Sequence, residues 1–314
     1  MGVFDRLFGK RHASKPVQQT QVGSAATGGD VWLFDRASGV LASGDLVTLP
    51  AVVQRLAGLG AADRASAEVV TRLAAWDPAL TARLLAAAND VRWGQSGLVD
   101  CISRATAILG DHAVREIPTG LQSAWTFTGI PAELATVDSF WSSSIHVAVA
   151  AREIAGIGKK GRPDVVFVAG LLHDIGQLVL LMRAPPGFRL ALEQSSQPGS
   201  GRQLDHFERE HLSFDHARVG ATLLASWRMP NCLKSCVAFH HQPSRARHFR
   251  SEVAIVHIAN SLAVLAMRES EDWRDAPAVS IECWQRAGLN PGQGLAVVPA
   301  IRREALAARR LFAS

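Results

Sequence analysis

The stretch that decides the fold is GLLHDIGQLVLL, which runs from Gly170 to Leu181. A histidine and an aspartate, His173 and Asp174, stand side by side within this apolar run. Burying either group without a partner is costly, so both are expected to meet polar groups from elsewhere in the chain. The longer segment PDVVFVAGLLHDIGQLVLLM, which begins at Pro163, is apolar nearly all round and therefore predicts a central buried helix.

Segments on both sides of this run also carry helical patterns, with apolar residues three and four positions apart and Gly, Pro or Asp between segments. LVTLPAVVQRLAGLG begins the series. DPALTARLLAAAN predicts a helix with Asp77 as its N-cap and Pro78 at the first helical position, and LVDCISRATAILG predicts one that ends at Gly110. Alternating strands are not evident. The sequence therefore predicts an all-α fold.

The second half of the chain continues the helical pattern. SFDHARVGATLLASWRMP, NCLKSCVAFHHQP and SEVAIVHIANSLAVLAM predict three helices, the last with Ser251 as a candidate N-cap. A further helix is expected near residues 301–311. The Pro/Gly/Ser/Gln-rich residues 185–201 predict a loop.

Composition limits the class of protein. Of the 314 residues, 48% are hydrophobic and 19% are charged, which is enough apolar material for a substantial core. The four cysteines form no CxxC pair, which favours a reducing compartment over a disulfide framework. The N-terminus lacks a secretion signal, and no 18 consecutive apolar residues occur. We expect a cytoplasmic protein without stable membrane insertion. The mild net charge of +5 and the lack of tyrosine make nucleic-acid binding an unlikely function.

Polar side chains on the buried-looking helices of the second half form a short set that could meet inside a bundle. Imidazole nitrogens and a carboxylate oxygen suit Fe, Mn, Zn or Co better than Mg. The candidate site residues are His146, His173, Asp174, His216, His240, His241 and Asn260. Either they hold a single Fe, Zn, Ni or Mn ion, or they form a buried hydrogen-bonded network without any metal, which is the expected case.

The order of these residues resembles the HD superfamily of metal-dependent phosphohydrolases, particularly its HD-GYP branch. The resemblance fails at charged positions: Asn260 replaces the final metal-binding aspartate, Gln177 replaces a lysine, and Ser142 replaces an acidic residue. Two ions with four positive charges would then have Asp174 as their one anionic protein ligand. Catalysis is therefore not expected, although a phosphohydrolase acting on a nucleotide or cyclic dinucleotide remains the alternative.

A resemblance to the HDOD family, the HD-related output domain of bacterial signalling proteins, covers more of the chain. Its blocks are LPAVVQRL, DPALTARLLAAAN, ISRATAILG, LLHDIGQL, DHARVGATLLASWRMP and FHHQP, in order from Leu49 to Pro243. It implies an N-terminal helical subdomain packed on an HD-like helical bundle. It also implies a non-catalytic regulator, in motility or stress signalling, that binds another signalling protein such as a diguanylate cyclase, a kinase or a response regulator.

On this basis the chain divides into four parts: a flexible leader (1–42), the N-terminal helical subdomain (43–133), the HD-like helical subdomain (134–268) and a C-terminal extension with a terminal helix (269–314). The basic residues Arg245 and Arg247 follow the His240–His241 pair and are candidate phosphate contacts, although a solvated loop is the simpler interpretation.

Overall fold

The computed structural model describes residues 47–48, 52, 67–90, 97–118, 122–123, 130–183, 185–197 and 202–313. The predicted leader, 1–42, lies outside this part of the chain. Within it the protein is helical, which confirms the predicted all-α fold, and a two-residue parallel pairing joins β1 (Val47–Thr48) to β2 (Gln122–Ser123). The helices are α1 (Ala67–Ala74), α2 (Pro78–Ala88), α3 (Ile102–Glu116), α4 (Val137–Gly158), α5 (Pro163–Leu172), α6 (Ile175–Arg183), α7 (Phe188–Ser195), α8 (Leu204–Leu212), α9 (His216–Ser226), α10 (Asn231–Phe239), α11 (Arg250–Met267), α12 (Ile281–Ala287), α13 (Pro291–Leu295) and α14 (Val298–Ala313).

The first three helices are tied to the later ones through a buried cap. Asp77 caps α2, as predicted, because its Oδ1 accepts the backbone N–H of Leu80 at 2.6 Å. Its second oxygen, Oδ2, accepts the indole N–H of Trp141 on α4 at 2.7 Å. Trp76 also packs edge-on against Phe167 of α5, with ring centroids 5.5 Å apart. One carboxylate thus starts a helix and anchors it to the neighbouring bundle.

The long helix α4 forms the centre of the bundle and packs against α5, α11 and α14. Thr136 and Ser139 form a capping box that starts it, and its buried face includes Trp141 and Ile145. Gly170 lets α5 approach α4 closely, since a Cβ at this position would lie 2.8 Å from the carbonyl oxygen of Val147. A larger residue would push the two backbones apart.

The apolar segment from Pro163 is not one helix, as its pattern predicts, but two. Helix α5 ends at Leu172, and α6 begins at Ile175. The carbonyl oxygen of Asp174 accepts the N–H groups of Gln177 and Leu178, at 2.8 and 3.3 Å, so the second helix starts from the aspartate. The two polar residues, His173 and Asp174, therefore lie in the break between the helices.

Two segments are long and apolar enough to cross a membrane by composition: Pro163–Arg183 and Arg250–Met267. The protein buries 83% of the first segment's apolar window and 61% of the second's. Such burial is typical of core helices, so this composition is weak evidence for a membrane span.

Other sequence expectations need correction. Ser251 is not the N-cap of α11, because the helix already begins at Arg250 after Phe249, whose φ is 54°. The predicted loop at 185–201 contains the helix α7. This helix is stabilised by the burial of Phe188, which the loop prediction did not include. Gly110 does interrupt its helix, with a φ of 68°, but α3 resumes beyond it. Val47–Thr48, read as the start of a helical segment, pairs as a strand.

Two glycines allow α6 and α9 to touch. A Cβ at Gly176 would lie 2.0 Å from the carbonyl oxygen of His216 and 2.4 Å from the backbone nitrogen of Gly220. A Cβ at Gly220 would lie 2.8 Å from Cγ1 of Val237 on α10. Gly176 follows Asp174 by two residues, so this backbone contact sets the distance between the aspartate and the histidine at the start of α9.

We predict that Gly176→Ala lowers the free energy of unfolding by about 3 kcal/mol or more, because the added methyl group meets backbone atoms that no rotamer change can move. Urea denaturation followed by circular dichroism measures this value. Gly156→Ala is the matched control: it lies exposed on α4 with no atom within 4 Å of an added Cβ, and it should be neutral or slightly stabilising. Equal effects of the two substitutions would contradict the close-contact argument.

Candidate functional site

Three imidazoles converge on the carboxylate of Asp174. Its Oδ1 lies 3.2 Å from Nε2 of His216 and 3.3 Å from Nε2 of His240. Its Oδ2 lies 3.2 Å from Nε2 of His173. A fourth imidazole, His241, places its Nε2 2.8 Å from Nε2 of His216. The site therefore combines the α5–α6 break with the start of α9 and the end of α10.

The remaining nitrogen of each ring fixes the ring's orientation. The Nδ1–H groups of His173 and His240 donate to the carbonyl oxygens of Gly170 and Val237, each at 2.8 Å. A carbonyl oxygen can only accept, so the proton of each neutral ring must be on Nδ1. The lone pair of each Nε2 then points toward Asp174. This arrangement is common for imidazoles that bind metals through Nε2.

His216 has a stronger partner than a carbonyl group. Its Nδ1–H donates to Oε2 of Glu208 at 2.6 Å, and the same oxygen accepts the backbone N–H of His216 at 2.8 Å. Glu208 lies on α8 and is 0% exposed. Glu208 is absent from the predicted site, because an acidic residue within the polar segment LDHFEREHL carries no signal that it is buried. Glu208 is the largest omission from the predicted site.

Burial and charge shift the pKa values of this cluster in opposite directions. Burial would lower the pKa of His216, but Glu208 and Asp174 raise it well above its ordinary 6.5. Burial would raise the pKa of Asp174, but His173 and His216 hold it well below 3.8. Burial lowers the pKa of His240, and burial with the neighbouring imidazoles holds that of His241 well below 6.5. Without a metal, His216 is therefore a buried imidazolium between two carboxylates.

The donor set fits a single transition-metal ion. The ligand atoms of Asp174, His216, His240 and His241 lie within 4.8 Å of one another. Three buried atoms at this point, His173 Nε2, His240 Nε2 and Asp174 Oδ1, have no partner in hydrogen-bond geometry among the described residues. Buried polar atoms normally have a hydrogen-bond partner, and a cation bound beside these three atoms would replace the missing partner. Imidazoles with one carboxylate suit Zn, Fe, Ni or Mn.

The structure brings five of the seven predicted site residues together and places the other two differently. His146 lies in a separate recess with Met267 and Arg309, where its Nδ1–H donates to the carbonyl oxygen of Ser142 at 2.7 Å. Asn260 is half-buried on α11, and none of the short contacts of the cluster involves it. The contact from α11 comes instead from one turn earlier, where Nδ1 of His257 donates to the carbonyl oxygen of His240 at 2.7 Å.

The two candidate phosphate contacts lie beyond α10 on exposed chain. Arg245 ends a 3-10 turn and donates to Oε1 of Gln242 at 3.0 Å. Arg247 is exposed two residues later. Arg245, Gln242 and His241 line the same recess.

We predict that Glu208→Gln destabilises the metal-free protein by about 3 kcal/mol below pH ~6.5, because it leaves a buried imidazolium with one carboxylate instead of two. His216 has a folded-state pKa above its unfolded value. Its stabilisation is therefore complete below the unfolded pKa and is lost as pH rises through the folded pKa. The difference between wild type and variant should shrink toward alkaline pH.

Urea unfolding with a chelator at several pH values tests this expectation. Glu210→Gln, an exposed position on the same helix, is the control and should have little effect at any pH. A cost for Glu208→Gln that does not change with pH would contradict the role of His216 as an imidazolium.

Comparisons with known proteins agree with this fold. The MmoQ response regulator from Methylococcus capsulatus str. Bath is 23% identical with a TM-score of 0.62, over 81% of this chain and 97% of that chain. A virulence factor from Campylobacter jejuni subsp. jejuni is 18% identical with a TM-score of 0.64, over 87% of this chain and 98% of that chain. At these identities the likeness shows the fold alone.

Among curated sequences, an uncharacterized protein of Treponema pallidum (strain Nichols) is 24% identical over 199 residues, which are 61% of this chain. The chain spans only 37% of the length of that relative. The family model of the HDOD domain matches residues 46–243. Because this match covers well over half of the sequence, the chain belongs to the HDOD family.

Proposed function

We propose that this chain is a non-catalytic regulator of bacterial signal transduction that acts by binding another signalling protein. One observation carries the proposal: among the described residues, Asp174 is the only carboxylate within 3.3 Å of an imidazole Nε2 of the cluster. The positions at which HD phosphohydrolases supply further charge hold Asn260, Gln177 and Ser142.

The number of anionic ligands argues against a pair of ions. Phosphoester hydrolysis by a two-metal site requires two cations about 3.5 to 4 Å apart, which carry four positive charges. Asp174 supplies one negative charge, while Glu208 faces Nδ1 of His216 on the far side of the ring. His146, the first histidine of the HD pattern, lies in another recess. These features favour one ion or none.

A single ion would have a structural and regulatory use here. His216, His240, His241 and Asp174 would hold it, and His216 would stay oriented by Glu208. When bound, such an ion supplies a strong cross-link between side chains of different helices. It would also replace the proton that His216 carries in the metal-free state, so metal and proton compete for the same nitrogen.

The signalling context comes from relatives with the same fold. MmoQ of Methylococcus capsulatus str. Bath is a response regulator. From this likeness we carry over only the functional class, signal transduction. In our proposal this chain receives or transmits a signal through contacts with a kinase, a diguanylate cyclase or a response regulator. We propose that it does so in the cytoplasm, and that the predicted boundaries at 43–133 and 134–268 separate two helical subdomains of one regulatory unit.

We predict that the purified chain binds at most one Zn, Fe, Ni or Mn ion. A ligand present at 100 times its Kd stabilises a folded protein by about 2.7 kcal/mol, so a saturating ion should raise the melting temperature of the wild type. His240→Ala should lose both the ion and the shift. His112→Ala, an exposed histidine on α3, is the control and should retain both. Elemental analysis and thermal unfolding measure the two effects, and two ions per chain would contradict the prediction.

We predict no phosphohydrolase turnover. Wild type and Asp174→Ala, each supplied with Mn or Fe, should release the same background amount of product from cyclic dinucleotides and from mononucleotides. The physical reason is that, in the part of the chain that the structure describes, no carboxylate other than Asp174 faces the Nε2 atoms of the cluster. Turnover that depends on Asp174, together with two ions per chain, would replace the regulator proposal by the enzyme alternative.

A further inference from the structure

A recess of about 410 Å³ lies beside the imidazole cluster, between α9 and the end of α10. Its inner wall is apolar. Phe214 and Ala217 are buried there, Ala221 and Ala225 continue the wall along α9, and Phe239 lies opposite. Small-molecule sites commonly have volumes of about 300 to 1,000 Å³, apolar walls and a few polar groups. The recess has the size and the lining of such a site.

The rim of the recess is positively charged. It carries Arg209, Arg218 and Arg245, against one carboxylate, Asp215. Asp215 is engaged in the fold: its Oδ1 accepts the backbone N–H of Arg218 at 2.9 Å, and its Oδ2 accepts from Arg209 at 2.5 Å. Arg245 is exposed, and its described hydrogen bond goes to the neutral amide of Gln242. Arg209 also donates to Oδ2 of Asp205 at 2.7 Å and is therefore neutralised by two carboxylates, so the exposed guanidinium of Arg245 is the charge that favours an anion.

His241 links the recess to the cluster. It lines the recess, and its Nε2 lies 2.8 Å from Nε2 of His216. Its ring also packs beside His240, with centroids 4.0 Å apart. A ligand that contacts His241 in the recess would therefore contact a member of the cluster directly.

We propose that this recess binds a small anion with an apolar body, such as an aromatic or aliphatic carboxylate, sulfonate or monophosphate ester. The anionic group lies at the arginine rim, with Arg245 as its principal contact, and the apolar body lies against Phe214 and the alanines of α9. His241 transmits occupancy to the cluster. The inference rests on the proposed function, since the ligand is the input of the regulator.

The test uses the full chain in the presence of a chelator and the fluorescent probe 8-anilinonaphthalene-1-sulfonate, which combines an apolar body with one sulfonate. We expect saturable binding of one probe per chain. Losing one charge-assisted hydrogen bond of about 1.5 kcal/mol should make binding to Arg245→Gln about tenfold weaker. Ala221→Trp, which fills the recess, should abolish binding. Arg303→Gln, which removes the same charge from an exposed position on α14, should bind like wild type.

Two further probes separate the contributions of charge and apolar body. The neutral analogue N-phenyl-1-naphthylamine should bind at least tenfold more weakly than the sulfonate, by the same hydrogen-bond arithmetic. Inorganic phosphate should not compete at concentrations similar to the probe. Equal binding of the neutral analogue, competition by phosphate at such concentrations, or equal binding by Arg245→Gln and wild type would each overturn the proposal. Arg245→Gln changes an exposed side chain, so its result does not depend on whether Ala221→Trp folds.

The link to the cluster has its own readout. With ¹⁵N-histidine labelling, probe binding should shift the ring nitrogens of His241 and His216 in the wild type and leave those of the exposed His112 unchanged. Binding without any shift at His241 would overturn the transmitting role. None of these results depends on metal content or hydrolysis, so a failure here is distinguishable from a failure of the proposed function.

Discussion

The structure depends on the need to compensate one carboxylate, that of Asp174, whose side chain is 17% exposed and whose Oδ1 is buried. Asp174 lies at a helix break in the apolar core, where an unpaired charge would be costly. In the metal-free state an imidazolium at His216, which Glu208 also stabilises, compensates this charge, and it can do so only if α6 and α9 pack with their backbones in contact. Gly176 and Gly220 allow that contact. The central packing of the bundle and the geometry of the site thus have the same origin.

The same atoms can satisfy this requirement in two ways. A proton on His216, placed between Asp174 and Glu208, gives a network without a metal. A divalent ion on the Nε2 atoms gives a metal site with the same ring orientations, because the Nδ1 partners do not change. Both states are compatible with a regulator. In both states Asp174 is the one carboxylate among the described residues that faces the Nε2 atoms of the cluster.

Much of the fold could be predicted from the sequence, because helical spacing and caps are local signals. Asp77 before Pro78 marked the start of a helix correctly, and the His173–Asp174 pair identified the centre of the site. Features that depend on tertiary contacts could not be predicted from these local signals. Glu208 is buried against His216, which is eight residues away in sequence, and the order of histidines along the chain does not reveal that His146 lies in another recess.

Helices beyond the HDOD match complete the core. The match ends at residue 243, yet α11 lies against α4, α5 and α10, and α14 covers both α4 and α11 with the buried side chains of Val298 and Ile301. The segment that matches the family model therefore shares its core with helices that lie beyond the match. Without residues 244–314, it would present the aliphatic flank of α4 to water, a surface prone to self-association.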